Sequence, residues 1–195
     1  VVIAIALIAL LLKATGTPYA TYFEGAQFVH FLLGPATVAL AVPLFRQTET
    51  LKRALPVIAF GVLFGSLVAS ASTVILAWAL GASPETLASL APKSVTTPVA
   101  MGIAENIGGV PALTAVCVIA TGIVGATLGP MVMNMARLKD WRARGFAMGV
   151  ASHGIGTARA FQVNETAGAF SGLAMGLNTL ATALTIPFLW HWIFG

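Results

Sequence analysis

The chain has 195 residues, of which 58% are hydrophobic and only 8% charged, with a formal net charge of +4. Apolar runs near the ~20 residues needed to span a bilayer recur along it, which identifies an integral membrane protein with room for one helical domain, not two. The basic residues gather in short loops, as topology signals do, so no nucleic-acid partner is expected. The single cysteine, Cys117, lies in an apolar run and excludes a disulfide framework.

In chain order, Val1–Leu12 is apolar but would rise only about 18 Å as a helix, short of a ~30 Å hydrocarbon core. It is read as the remainder of a longer first span, which makes residues 1–195 a single membrane domain truncated at its N-terminus. Lys13–Ala26 is a polar loop, Phe28–Phe45 a short span, and Arg46–Arg53 a basic loop. Leu55–Leu80 is a long span, and Gly81–Lys93 a loop with two prolines and a lysine. Ser94–Gly109 is mixed, broken by Pro98, Glu105, Asn106 and Gly108-Gly109. Val110–Ala136 is a long span and Arg137–Arg144 a second basic loop. Gly145–Asn164 is again mixed, and Ala167–Phe194 is read as a fully apolar last span. The fold class is therefore all-α and polytopic, with about five spans and two broken or re-entrant segments.

The two basic loops hold seven of the ten Lys and Arg residues and should both be cytoplasmic. Leu55–Leu80 then runs outward and Val110–Ala136 inward. Ser94–Gly109 can make no net crossing and must enter and return from outside, while Gly145–Asn164 dips in from the cytoplasm. A broken segment followed by a long span thus occurs twice, offset by roughly 58 residues and inserted from opposite sides. That pattern predicts an inverted repeat with a site near the midplane. The other reading is chance likeness between two helices rich in Gly and Ala.

The broken segments carry the chemistry. In Lys93-Ser94-Val95-Thr96-Thr97-Pro98, Pro98 suits the first turn of a helix and Thr97 is a natural N-cap, so a half-helix would start in mid-membrane with its positive end facing a site. In Ser152-His153-Gly154-Ile155-Gly156-Thr157-Ala158-Arg159, Gly154 and Gly156 allow an unwound backbone and Thr157 could cap the next half-helix. Arg159 then lies in the first turn, where a cation is unfavourable unless an anion sits beside it. Arg159, Thr97, Thr157, Thr96, Ser94, Ser152, His153 and Gly156 are the candidate substrate-binding residues for a small organic anion. His153, Glu105 and Asn106 are candidates for coupling to protons or sodium.

Each has a plainer alternative. Arg159 could pair with Glu105 or Glu165 or reach to the interface; His153 could be a hydrogen-bonded structural residue; Ser94 and Ser152 could bond backbone carbonyls. Glu105-Asn106 and Asn164-Glu165 also read as interfacial loop residues. Gly61/Gly65, Gly125/Gly129 and Gly168/Gly172/Gly176 permit close helix packing, within the chain or against a second copy in a homo-oligomer. The histidines are scattered, paired-cysteine metal spacings are absent and no serine nucleophile elbow is present, so neither an enzyme, a metal site nor a cofactor is expected.

Four stretches, Leu33–Leu44, Lys93–Pro98, Ile107–Gly109 and Ser152–Ala160, resemble the signature stretches of the LrgB/CidB family, in the family's order. The resemblance implies a bacterial inner-membrane protein. Some members are described as holin- or antiholin-like, acting with a small LrgA/CidA partner on murein hydrolase activity and lysis. Others are linked to pyruvate movement, and a plastid relative moves glycolate and glycerate. The reading that joins residues and resemblance is an alternating-access transporter of small monocarboxylates. Its rival is a holin-like pore or lysis regulator. Polar residues concentrated in two broken segments, not striped along a span, favour a discrete site.

Overall fold

The computed structural model describes residues 2–39 and 48–194. Among them are eight helices and no strand: α1 (Val2–Thr15), α2 (Tyr19–Ala39), α3 (Thr48–Ala79), α4 (Pro84–Leu90), α5 (Thr97–Asn106), α6 (Pro111–Met135), α7 (Trp141–Val163) and α8 (Glu165–Phe194). The chain divides into two compact units, Val1–Val42 and Pro43–Gly195. Arg46, and residues 40–44 of the first signature stretch, lie outside the described residues.

In the first unit α1 runs to Thr15, three residues past the expected apolar boundary. Gly16 ends it at φ +65°, and the Thr17 N–H closes back on Leu12 O at 3.1 Å, a glycine-terminated helix end. The expected loop to Ala26 is short, because Pro18 precedes a helix that already begins at Tyr19.

In the second unit three helices are long and apolar enough to cross a membrane: Ala54–Ala79 within α3, Pro111–Met135 and Glu165–Phe194. Their outward faces carry large exposed side chains, among them Phe60, Phe64, Trp78, Leu184 and Phe188, as lipid-facing surfaces do. Part of the first basic loop is helical, since α3 begins at Thr48. The expected loop Gly81–Lys93 contains α4, capped by Ser83 through its Oγ to the Thr86 N–H at 3.3 Å, with Pro84 and Glu85 in the first turn.

Both re-entrant segments are hairpins, but the first begins earlier than expected: its first arm, α4, and most of its buried turn, Ala91–Val95, lie in the expected loop, and the mixed segment Ser94–Gly109 supplies only the end of the turn and the second arm, α5. It closes where Gly108, at φ +83°, lets the Gly109 N–H reach Ala104 O at 2.7 Å. Its first arm is fastened, near the turn, to the start of α6: the Val110 N–H donates to Ser89 Oγ at 2.8 Å, and Thr114 Oγ1 donates to Ser89 O at 2.9 Å. The second hairpin is α7 itself. A straight helix of 23 residues would be about 34 Å long. Yet Trp141, Arg144 and Met148 share one pocket with Arg159, Ala160 and Val163. The helix therefore folds back on itself at His153, whose backbone is non-helical at φ 41°, ψ −133°.

The hairpins enter from opposite ends. Hairpin one sits on the N-terminal end of α6, and the base of hairpin two on its C-terminal end, beside Pro130 and Met133. The core clusters agree. Ala88, Ala91, Val95 and Ile103 of hairpin one pack with Ile186 near the end of α8, and Met148 and Ala160 of hairpin two pack with Ala167 near its start. The relative directions of α3, α6, α8 and both hairpins are those that the loop charges require.

Candidate functional site

The hairpin tips meet between α6 and α8. Asn178, in the middle of α8 and 1% exposed, donates through Nδ2 to Ser94 O of tip one at 3.3 Å and to Val150 O of hairpin two at 3.2 Å. One buried amide thus ties the turn of hairpin one to the last turn of the first arm of hairpin two, where backbone acceptors lack helical partners. On the other side, α6 supplies Val118. Its side chain packs in the core of hairpin one, and its carbonyl accepts from the His153 Nε2–H of tip two at 2.9 Å.

Tip two is built around His153, 4% exposed. A non-glycine residue at its φ/ψ costs on the order of 1–3 kcal/mol and persists only where packing holds it. Here α6 does so with glycines. A Cβ on Gly122 would stand 2.7 Å from His153 Cε1, and one on Gly125 would collide with Ser152 Oγ. On α8, Gly145 and Gly149 of hairpin two face the carbonyls of Ala167 and Ser171 too closely for any side chain. Gly61 and Gly65 of α3 receive Phe146 and Val150. These glycine spacings are filled from within the chain, whereas Gly176 has open space.

The structure places the predicted residues unequally. Ser94, Ser152, His153, Gly156 and Thr157 are all buried at or beside the tips. Thr157 is not a cap: its Oγ1 donates to His153 O at 2.8 Å and shares a hydrogen bond with Ser171 Oγ at 2.9 Å. The break falls on His153, not on Gly154 or Gly156, because α6 holds the imidazole and its neighbour on both sides. Thr96, not Thr97, is the N-cap of α5, and its side chain makes no capping hydrogen bond; Thr97 and Pro98 form the first turn. Both threonines are half-buried.

Arg159 is not brought to the tips. It is exposed, its Nη1 donates to Gln162 Oε1 at 3.3 Å and not to Glu105 or Glu165, and it lines a pocket of about 190 Å³ at the base of hairpin two with Trp141 and Arg144. Glu105 and Asn106 are exposed at the far end of α5, one hairpin length from the tips. Outside the spans, Asp140 caps α7 by accepting from the Arg142 N–H at 2.8 Å. Its hydrogen bonds from the Arg142 guanidinium hold its carboxyl below the usual carboxylate range.

Two residues at the tips were not singled out by the sequence. The last span is not fully apolar: Ser171, Asn178 and Thr182 are buried in it, and Thr182 shares a 2.8 Å hydrogen bond with Ser66 of α3. A lone Asn among apolar neighbours was the available signal. The other is Lys93, read as a loop residue. It is half-buried at tip one, next to Ser94. Two buried oxygens here, Ser152 Oγ and Asn178 Oδ1, have no hydrogen-bond partner among the described residues.

Comparison with known proteins gives these features a family. Residues 1–192 match the LrgB-like family. The chain is 40% identical over 179 residues to the uncharacterized protein YwbG of Bacillus subtilis, covering 92% of this chain and 80% of that one. It is 32% identical over 182 residues to the holin-like protein CidB of Staphylococcus epidermidis, covering 93% and 80%. With the antiholin-like protein LrgB of Bacillus mycoides the identity is 32% over 176 residues, covering 90% and 76%. No solved structure matches the chain. The chain belongs to the LrgB-like family.

Proposed function

We propose that this protein is a multi-pass transporter of the bacterial inner membrane that carries small monocarboxylates of the pyruvate, glycolate and glycerate class. The observation that supports this is the convergence of two oppositely inserted hairpins on one polar point, between Asn178 and Val118, in a bundle of mainly apolar helices. A site reached by half-helix ends from both sides suits alternating access, with one hairpin and its long helix moving against the other. Ser94, Thr96 and Thr97 offer hydroxyls and the N-terminal N–H groups of α5 to a carboxylate. Arg159 and Arg144, at the base of hairpin two, would draw anions toward that mouth. His153 is the candidate proton carrier.

A second reading is carried by the relatives' names, holin-like CidB and antiholin-like LrgB. On it, the chain regulates lysis by assembling with itself or with an LrgA/CidA-like membrane partner. The names favour this reading; the discrete polar site favours the carrier. Uptake of labelled pyruvate and glycolate into proteoliposomes, with and without an LrgA-type partner, separates them. The carrier gives saturable uptake. Leakage of unrelated solutes, or no flux with the partner present, sinks it in favour of the second reading.

A further inference from the structure

We propose that Lys93 is the cation that holds the substrate's carboxylate, in an anion site made by tip one and the N-terminus of α5 and closed by His153 of tip two. The inference rests on the carrier reading and deepens it. Lys93 stands three residues before Thr96, the cap of α5, so the ammonium and the positive end of that helix belong to one turn of chain. Thr96 leaves the helix end uncapped by any side chain. Among the described residues Lys93 makes neither an ion pair nor a side-chain hydrogen bond. A half-buried ammonium without a counter-charge, in a bundle this apolar, calls for an anion.

The geometry places this cation at the meeting of the hairpins. Asn178 joins Ser94 O to Val150 O, which holds the residue after Lys93 against hairpin two. Val150 lies three residues before His153, and Cys117 adjoins Val118, whose carbonyl accepts from His153, so the hydrogen bonds bring the chain around all three residues to one level of the bundle. An anion bound to Lys93 would touch both hairpins at once. Arg159 has no such place: it is exposed at the hairpin base, bonded to Gln162.

Cys117 is the only cysteine in the chain and serves as a reporter for this space. The experiment uses the full chain in proteoliposomes and compares the rates at which an anionic and a cationic methanethiosulfonate modify Cys117, with and without pyruvate. Wild type should react about tenfold faster with the anionic reagent, and pyruvate should slow both reactions. Lys93→Gln should lose the charge preference and the protection, and Lys93→Arg should keep them. Protection that survives in Lys93→Gln overturns the assignment, as does a folded wild type in which Cys117 reacts with neither reagent. Pyruvate uptake in the same vesicles keeps the two claims apart. Uptake without Lys93-dependent protection removes Lys93 and leaves the carrier standing; protection without uptake keeps the anion site and removes the carrier.

Discussion

The two hairpins reach the same level of the bundle by different means. Hairpin one turns over a buried stretch, Ala91–Val95, between separately capped helices, and its backbone stays in ordinary regions until Gly108 closes it. Hairpin two turns on one residue, His153, held at a positive φ by glycine-lined α6 and by its bond to Val118 O. The first carries charge at its tip and a helix end whose cap residue makes no side-chain bond. The second carries buried hydroxyls and an imidazole that are nearly all satisfied. The difference suggests a division of labour, in which one tip binds and the other closes over it under strain.

Breaking the link between the tips should have the largest effect. Asn178→Leu leaves Ser94 O and Val150 O buried without a donor, at about 1–3 kcal/mol for each such group. Its expected signature is a large loss of thermal stability in detergent together with loss of uptake. A variant that unfolds like wild type and still transports contradicts the link.

Filling the space that receives tip two comes next. Gly122→Ala gains helix propensity in α6, yet its methyl would lie 2.7 Å from His153 Cε1. Overpacking should win by about 1–3 kcal/mol. A stabilised variant would mean that tip two yields easily.

The two glycines after His153 sharpen the comparison. A Cβ on Gly156 would meet Ser152 Cβ at 2.5 Å and Met148 O at 2.8 Å, whereas one on Gly154 meets only Met175 Sδ at 3.9 Å. Gly156→Ala should destabilise by about 1–3 kcal/mol, and Gly154→Ala should be neutral or stabilise by up to about 1 kcal/mol. Equal effects in thermal unfolding would return the break to the glycines. The smallest effect concerns the base. Because the Asp140 carboxyl is held below its usual range, its cap on α7 contributes fully above about pH 4 and fades as pH falls below that. Asp140→Asn should flatten the acid limb of the stability profile slightly and leave neutral pH nearly unchanged.

Much of the architecture was legible in the sequence. Pro98 after two threonines, Gly108-Gly109 and the parity of the basic loops were enough to predict two re-entrant segments from opposite sides, because breakers and loop charges act locally. The short helix α4 is legible too, from Ser83-Pro84-Glu85, a cap signal that outweighs the loop character of two prolines and a lysine. The site was less legible. Asn178 and Lys93 matter through what lies across the bundle, 84 residues away in the case of Asn178 and Ser94, and no local pattern carries such a distance. The strain on His153 runs against propensity, which would place the break on Gly154 or Gly156. Packing from α6 overrides it.

The most direct test of the account is the pyruvate KM in proteoliposomes for Lys93→Gln and Arg159→Gln, measured side by side. With binding at the hairpin tips and only steering at the base, KM rises about tenfold or more for Lys93→Gln and less than about threefold for Arg159→Gln, the latter effect shrinking at high salt. A larger rise for Arg159→Gln, with Lys93→Gln near wild type, would move the site to the base of hairpin two and contradict it.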